Sequence, residues 1–320
     1  MPEPSRPEKG SKGMWPRKRA RRTYPSLDSW IETDECKPLA FAGYKAGMTQ
    51  VTMKDLRETS PTKNQIISVP VTVLDIPPLF VLGARSYERI NDDLVVSEDI
   101  GAKEEDIPKG LRDRTHFADK NSFEEEGGEE VKLIACTQPQ RSGLGKKEPE
   151  VFEVPLGGSV EEQKEYAEEK LGGEIKAEDT FEEGEFLDTV AVTKGKGYQG
   201  PVKRYGAKVD RSKDESPRRI GSMGARGQGR VLHTTPQPGQ HGFHRRTDEC
   251  KHFLGTFDPE EINPEDGFKN YGVIDENSML VKGSVPGPKN RLIMLRKSLK
   301  KDGKLPVEIK DINTSSQQGV

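Results

Sequence analysis

A basic, glycine-rich stretch at residues 192–252 limits what this chain can fold into more than any other feature. It holds fourteen Lys or Arg against five Asp or Glu, a net charge of +9, and glycine recurs every few residues. Because large aliphatic side chains are few between Arg204 and Thr256, this length cannot close a hydrophobic core of its own. Such a composition suits a segment that threads between phosphates, since glycine backbone approaches closely and cations replace counterions. A disordered basic loop is the alternative, although interspersed Phe, Leu and Pro favour an ordered segment that folds against another molecule.

Charge is distributed unevenly over the 320 residues, whose net charge is only −3. Residues 1–25 carry +6, residues 97–190 carry −15 and residues 282–310 carry +7. Concentrated positive charge predicts a nucleic-acid partner even though the whole-chain balance does not. The acidic segment indicates either a solvent-facing surface or a high-salt habitat. Apolar residues make up only 31%, with 33 Gly and 23 Pro, so we expect turns and extended arms over much of the length.

Compartment and membrane association can also be predicted. The three cysteines, Cys36, Cys136 and Cys250, lie far apart and indicate no disulfide framework, so we expect a reducing compartment. Residues 1–25 contain no apolar core of a secretory signal. The longest apolar run, at about residues 69–84, is interrupted by prolines and an aspartate and predicts no membrane-spanning helix. The sequence therefore predicts a soluble intracellular protein without a membrane partner.

The first residues are predicted to form an extended basic arm. Trp15 and Pro16 precede a cluster of cations from Arg17 to Arg22. Trp15 would stack on a nucleobase or fill a protein pocket, and the cationic neighbours favour RNA. A solvated tail or a localisation signal is the alternative for the cluster.

Strand signals dominate the remainder of the chain. Short runs rich in β-branched residues predict strands within residues 41–87, in VKLIACTQ, VFEVPLGG and LDTVAVT, and three more within residues 268–299. Residues 91–130 are predicted to be a loose or partly helical insertion. Ser159 and Glu162 form a capping box for a helix near residues 160–171, which should end at Gly172. Strands on both sides of two insertions can close only one sheet, so the predicted class is mainly β with α insertions, built on a discontinuous β-barrel.

These signals divide the chain into seven predicted segments. They are a basic N-terminal arm at 1–37, the first part of the barrel at 38–90, an acidic inserted segment at 91–186, a barrel strand with the GKG loop at 187–205, a basic finger at 206–256, the last part of the barrel at 257–305 and a C-terminal tail at 306–320.

Motifs for catalysis and metal binding are weak. GKGYQG lacks the pattern of a Walker phosphate loop, yet Lys194 and Lys196 make a plausible phosphate clamp at a strand end. No G-x-S-x-G elbow occurs, so we predict no enzyme and no cofactor. One closely spaced set of His and Cys residues suggests an alternative hypothesis, a zinc-binding enzyme or regulator. Its members are His241, His244, Cys250 and His252. Interleaved Arg and Lys and the single thiolate disfavour a cation at that place.

Several motifs, in order along the chain, resemble a known family. They are GMWPRKRA, FAGYKAGMT, VTVLDIPP, GGSVEEQKEYA, VAVTKGKGYQGPVKRYG, RRIGSMGA, PGQHGFHRRTDECK and FKNYGVIDENSMLVKGSVPGPKNRL. Together they resemble the universal large-subunit ribosomal protein three in its archaeal and eukaryotic form. The resemblance covers most of the chain outside about residues 91–130 and the last dozen residues.

The resemblance implies a structural constituent of the large ribosomal subunit in the cytoplasm. It implies a closed β-barrel of the translation-protein type with an inserted subdomain, and long extensions that penetrate rRNA toward the peptidyl transferase centre. Its partners would be large-subunit rRNA and neighbouring large-subunit proteins, and it would support assembly without a small-molecule substrate. A free-standing RNA chaperone remains a further alternative.

Two positions depart from the family pattern, and the candidate contacts follow from the motifs. Arg226 stands where the family commonly has Trp, and a guanidinium can stack on bases or bind phosphate. Cys250 stands where the family usually has Asn. The predicted rRNA-binding residues are Trp15, Arg17, Lys18, Arg19, Arg21, Arg22, Lys45, Lys194, Lys196, Lys203, Arg204, Arg218, Arg219, Arg226, Arg230, Gln240, His244, Arg245, Arg246 and Lys251.

Overall fold

A computed structural model describes residues 14–91, 93–103, 105, 107, 120–123, 128–207, 209 and 229–315. Strands account for most of its regular structure. They are β1 (Ala40–Lys54), β2 (Ile66–Asp75), β3 (Leu79–Ile90), β4 (Asp93–Gly101), β5 (Glu130–Cys136), β6 (Val151–Pro155), β7 (Glu174–Ile175), β8 (Phe186–Val192), β9 (Tyr198–Gln199), β10 (Gly239–Gln240), β11 (Arg245–Phe257), β12 (Ser278–Lys282), β13 (Leu292–Lys297) and β14 (Ile309–Ile312). The α-helices are α1 (Val160–Lys170), α2 (Pro201–Tyr205) and α3 (Pro259–Ile262). Short 3-10 helices lie at Pro139–Arg141 and Ala177–Asp179. The protein is therefore mainly β, as predicted. No helix among the described residues is long and apolar enough to cross a bilayer.

The chain divides into two compact units. We call Met1–Thr23 with Val192–Arg246 the basic unit, and Tyr24–Ala191 with Thr247–Val320 the sheet unit. Each unit is made of segments that are distant in sequence. The seven segments predicted above follow other boundaries and stay a prediction.

The larger sheet of the sheet unit has seven strands in the order β13-β8-β11-β12-β2-β1-β14. β1 also pairs with β13 in antiparallel register, from Ala40 opposite Arg296 to Tyr44 opposite Leu292. Five strands, β2, β8, β11, β12 and β13, therefore each have two neighbours, and β1 has three. β14 pairs with the other end of β1, from Val51 to Met53.

β1 shows why these residues form a sheet that surrounds a core. Its first eight residues, AFAGYKAG, are all buried, and burial then alternates toward its C-terminal end. Small residues alternate with Phe41 and Tyr44, so neighbouring layers can approach closely. Gly47 illustrates this close approach, since a Cβ there would lie 2.5 Å from a ring carbon of Phe268. The principal core consists of residues from this sheet and from the smaller one.

A second sheet follows the order β4-β3-β5-β6, with β7 paired to β3. β4 corrects one prediction, because part of the expected loose or helical insertion is a regular strand that pairs with β3 from Ile90 opposite Asp93 to Gly83 opposite Gly101. Leu94, Val95 and Val96, in the first half of the strand, are exposed, so this half contributes nothing to the core. Pairing with a long central strand stabilises it instead.

Helix α1 confirms the predicted helix and its capping box. Glu162 accepts a hydrogen bond from the backbone N–H of Ser159 at 3.1 Å, and the side chain of Ser159 accepts from the N3 backbone. The helix ends before Gly172, whose φ of 73° is in the left-handed region. Gln163 faces inward and accepts from the backbone N–H of Val131, so α1 packs on β5. A locally encoded helix thus covers the second sheet.

The end of the predicted finger contains a buried strand. β11 lies mostly within residues 206–256, and its residues Phe253 and Leu254 are core residues with about 1% exposure. The polar and charged start of β11 resembles the preceding basic stretch and conceals the strand in sequence. Farther along, two strands, β12 and β13, occupy residues 268–299, where three were predicted. The segment before β12 forms a tight turn closed by a bridge between Phe268 and Gly272.

Candidate nucleic-acid interface

The described part of the basic unit carries positive charge without any acidic residue. It contains twelve Lys and Arg and no Asp or Glu. The twelve are Arg17, Lys18, Arg19, Arg21, Arg22, Lys194, Lys196, Lys203, Arg204, Arg230, Arg245 and Arg246. Such a cluster repels itself in isolation and attracts a polyanion. These cations are therefore not neutralised by acidic side chains of their own unit in the part that the structure describes.

Two backbone segments pair beside Lys194 and Lys196, the residues of the predicted phosphate clamp. β9 and β10 pair through Tyr198 opposite Gln240, and the backbone N–H of Lys196 donates to the His241 carbonyl at 2.9 Å. Gly242 has a φ of 68°, and a Cβ there would collide with the carbonyl oxygen of Lys194. The side chains of Lys194 and Lys196 are exposed. A rigid backbone thus presents two mobile ammonium groups, which suits phosphate binding.

The arm is held against the end of the basic stretch by the backbone and by Arg246. The backbone N–H of Ala20 donates to the carbonyl of Phe243 at 2.9 Å. Arg246 donates from Nη2 to the carbonyl of Met14 and from Nη1 to that of Pro16, both at 2.9 Å. His244 is buried, and its Nδ1 lies 2.9 Å from the carbonyl of Lys18. These two residues position the arm, so the cations of both segments belong to one surface.

Planar side chains stack across the same unit, and we call them the planar ladder. The guanidinium of Arg17 lies 5.3 Å from the ring centre of Trp15 and 5.8 Å from that of Tyr205. The guanidinium of Arg204 also lies near Tyr205, 5.1 Å from its ring centre. Trp15 also contacts His233 edge-on, with ring centres 5.9 Å apart. Each cation–π contact contributes about 0.5–1 kcal/mol at an exposed site, and together they order the start of the arm.

Two of the three described histidines of the basic unit, His241 and His244, have lowered pKa values. Burial lowers the pKa of His241, and the charges of Lys196 and Arg204 lower it further. Burial also lowers the pKa of His244, against the hydrogen bond to the Lys18 carbonyl, and Arg246 and Arg17 add to the lowering. Both rings are thus biased toward the neutral form. The interface has fixed charge from Lys and Arg, while the ring of His244 serves as a hydrogen-bonding group.

Two aromatic residues of this unit were not among the predicted contacts. Tyr205 forms the centre of the planar ladder, and Tyr198 is 75% exposed on β9. Both lie in GKGYQGPVKRY, where aromatic residues interleave with cations. That interleaving is a signal for single-stranded nucleic acid, and it could have identified both residues.

Comparisons with known proteins agree with this geometry. A family model described as "Ribosomal protein L3" matches residues 1–125 and 113–319. Relatives named "Large ribosomal subunit protein uL3" include that of Methanothermobacter thermautotrophicus, 43% identical over 331 residues that cover 98% of both chains. The relative in Methanopyrus kandleri is 42% identical over 99% of this chain and 92% of its own, and that in Nanoarchaeum equitans is 41% identical over 94% of each.

The chain belongs to the ribosomal protein L3 family. The predicted resemblance is therefore confirmed, and the relatives named here are archaeal, as expected. Ribosomal protein L3 is a structural ribosomal protein that acts in translation and is not an enzyme.

Some residues predicted to bind rRNA lie elsewhere. Lys45 of this L3 family member is buried in the sheet unit, and its Nζ donates to the carbonyls of Val285 at 2.6 Å and Gly287 at 3.2 Å. Burial lowers its pKa, and so does the charge of Lys289. Lys45 therefore holds a turn of the protein itself and is not available to a phosphate. Lys251, also in the sheet unit, pairs with Asp248 at 2.8 Å. Arg218, Arg219 and Arg226 lie outside the described residues.

The zinc alternative lacks a ligand set. No group of three or more His, Cys, Asp or Glu among the described residues is arranged to hold a metal ion. Within the sheet unit, His252 stacks on Phe186 with ring centres 5.3 Å apart, and its Nε2 lies 3.3 Å from the Leu305 carbonyl. The Sγ atom of Cys250 contacts Ser298 Oγ at 3.4 Å. In this L3 chain the spaced histidines and cysteine stabilise their own surroundings.

Replacing Arg246 by Lys should loosen the arm while leaving the charge unchanged. An ammonium group cannot reproduce the fork that joins the carbonyls of Met14 and Pro16. We expect exchange of the Ala20 amide hydrogen to become about tenfold faster, since the two hydrogen bonds from Arg246 to this segment together contribute roughly 1.5 kcal/mol. Hydrogen exchange on the free protein measures this. Arg230→Lys, at an exposed position of the same unit, is the matched control, and equal exchange in both variants would contradict the positioning role.

Proposed function

We propose that this member of the ribosomal protein L3 family is a structural constituent of the large ribosomal subunit in the cytoplasm, where it binds large-subunit rRNA. The observation that carries the proposal is the basic unit, whose described part has twelve cations and no acid. Phosphates dominate the affinity of such a surface, because each neutralised phosphate releases counterions. A polyanion-binding role uses these cations directly.

The sheet unit provides the folded core of the protein. We infer that its larger sheet is a closed β-barrel of the translation-protein type, because six strands each have at least two neighbours and β1 pairs with β13 as well as with β2. The second sheet with α1 is the inserted subdomain. Closure removes exposed edges, which would otherwise invite pairing with other chains. A closed barrel of this kind would be the stable folded part of the protein, while the extensions gain order on rRNA.

The extensions are residues 1–37 and the finger at residues 206–256, which penetrate rRNA toward the peptidyl transferase centre and support assembly. Their length without a core of their own supports this role, since such segments gain order from a partner. Neighbouring large-subunit proteins contact the remaining surface. The seven predicted segments describe this organisation, with β11 counted as a barrel strand at the end of the finger.

The proposed contact set comprises polar, charged and aromatic residues of the basic unit. Lys194, Lys196 and Lys203 supply point charges for phosphates, and the arginines supply forks. Trp15, which is half exposed, adds a planar surface, and Gln240 adds hydrogen bonds. His244, Arg245 and Arg246 stand at the junction with the arm. Arg218, Arg219 and Arg226 complete the proposed set on the finger.

A tagged copy of the chain expressed in its own host should sediment with large-subunit particles in a sucrose gradient. High monovalent salt that leaves the particle intact should release little of it, because the extensions are enclosed by rRNA. Western blotting of the gradient fractions measures both. A chain that stays in the soluble fractions at the top of the gradient would contradict the proposed function.

A further inference from the structure

Tyr198 is exposed to an unusual degree for an ordered aromatic residue. Its 75% exposure is the highest among the large hydrophobic side chains of the described residues. An aromatic ring left in water forgoes the stabilisation that burial would provide. None of the described residues forms a hydrogen bond with its hydroxyl group or a ring contact with its side chain. The described part of the protein therefore does not account for the exposed position of this ring.

The backbone that carries Tyr198 is nevertheless well fixed. Directly before it, Gly197 accepts a hydrogen bond from the backbone N–H of His241 at 2.8 Å. Gln199 follows and donates from Nε2 to the carbonyl of Lys196 at 2.8 Å. Tyr198 itself pairs with Gln240 on β10. The ring is thus presented from a braced strand, and a preorganised side chain loses little entropy on binding.

The chemistry around Tyr198 points to RNA as the partner. Lys194, Lys196 and Lys203 flank it in the chain and are exposed, and the described part of the basic unit has no acid. A protein partner for an aromatic anchor requires a wider apolar surface, which this cationic, glycine-rich segment does not provide. Proteins that bind single-stranded nucleic acid combine a cationic groove with aromatic rings on which bases stack.

We propose that Tyr198 is a stacking platform for one unpaired nucleobase of the RNA that the basic unit binds. The proposal rests on the proposed function and deepens it by naming a base, in addition to phosphates, as a ligand. The lysines bind the backbone on either side, and the phenol ring selects for a nucleotide that is not in a duplex. Base stacking tolerates any sequence, because every base has a π-face.

Binding of the full-length protein to a large-subunit rRNA transcript, measured across a salt series, tests this. Tyr198→Ala and Tyr198→Leu should weaken binding on the order of tenfold at every salt concentration, whereas Tyr198→Phe should bind within about twofold of the parent. The slope of affinity against salt should not change, because no cation is removed. Val231→Ala is the matched control, since Val231 is 70% exposed in the same unit and has no aromatic ring, and it should bind like the parent.

Three results would overturn the proposal: Tyr198→Leu binding like the parent, Tyr198→Ala changing the salt slope, or Val231→Ala losing as much affinity as Tyr198→Ala. If the parent binds the transcript and the Tyr198 variants match it, the stacking proposal fails alone. If the parent shows no salt-dependent binding, the proposed function fails as well.

A second measurement identifies the contacted group directly. Large subunits assembled with Tyr198→p-benzoylphenylalanine are irradiated, and the adducts are mapped. We expect an adduct on an unpaired nucleotide of rRNA. Adducts only on a neighbouring protein or within a continuous duplex would contradict the proposal. Because the side chain is exposed, the substitution should leave the thermal unfolding midpoint of the free chain unchanged, which is verified first.

Discussion

Replacing Lys194, Lys196 and Lys203 together by Gln should weaken binding to large-subunit rRNA by about a hundredfold at 0.1 M salt. The three ammonium groups are exposed in a unit whose described part contains no acid, so each is available to a phosphate. Each phosphate contact contributes about 0.7–0.9 to the slope of log affinity against log salt. The slope should therefore become less steep by about two to three. Filter binding or fluorescence anisotropy from 0.05 to 0.5 M salt measures both quantities.

The control changes the same amount of charge in the sheet unit. Lys63, Lys147 and Lys176 are exposed there, and their joint replacement by Gln lowers the net charge equally. We expect a much smaller loss of affinity for this variant, because long-range charge is screened within about 10 Å at 0.1 M salt. Equal losses in both triple variants would show that net charge, and not the surface of the basic unit, determines binding.

The second large effect concerns Asp75, a carboxyl group sealed in the sheet unit. It is fully buried at the end of β2, and Tyr271 Oη donates to its Oδ2 at 2.6 Å. Its Oδ1 has no hydrogen-bond partner among the described residues. Burial raises the pKa of Asp75 to about 7, and the charges of Asp275 and Glu276 act in the same direction. The Tyr271 hydroxyl and the Gly143 backbone oppose that rise but do not reverse it.

This raised pKa should make the stability of the sheet unit fall as pH rises. In the unfolded chain the carboxyl group has a pKa of 3.8, so between about pH 4 and pH 7 the folded state retains a proton that the unfolded state has released. Asp75→Asn is neutral at every pH and removes this dependence. Between pH 4.5 and pH 8 the free energy of unfolding of the Asn variant should gain about 3 kcal/mol relative to the parent.

Urea unfolding followed by the fluorescence of Trp30 measures this gain. Trp30 packs against the core of the sheet unit, and both proteins carry Trp15→Phe so that one tryptophan reports. Asp55→Asn is the matched control, because the pKa of Asp55 is lowered whereas that of Asp75 is raised. Hydrogen bonds from Arg57, Thr62 and Ser60 lower the pKa of Asp55, so its contribution is already complete at pH 4.5. Its difference from the parent should stay nearly flat up to pH 8. A flat difference for Asp75→Asn as well would refute the buried-proton account.

Features encoded by neighbouring residues were predictable from the chain. The helix α1 follows from its capping box, whose two partners are three residues apart. The strands β5, β6 and β8 follow from short runs of β-branched residues. The cations of the basic unit could be identified because charge is a property of composition and needs no fold. The family could also be identified, because its motifs are short runs of adjacent residues.

The placement of individual side chains required contacts between distant segments. Arg246 and Met14 are 232 residues apart, and only the fold makes the first a support for the second. Lys45 was among the residues predicted to bind rRNA, yet the packing of β1 buries it among carbonyl groups. The strand β4 was not predicted, because its first half is exposed and it pairs with β3, a contact that the local sequence does not show.

The sequence by itself thus determined the chemistry of this protein: its cationic extensions, its mainly β character and its family. Only the tertiary structure decided which cations remain accessible, how the arm joins residues 233–246 and why Tyr198 projects from a braced strand. The physical reason is the range of the interactions. Charge and local hydrogen bonding depend on adjacent residues, whereas burial and strand pairing depend on segments that meet only after the whole chain has folded.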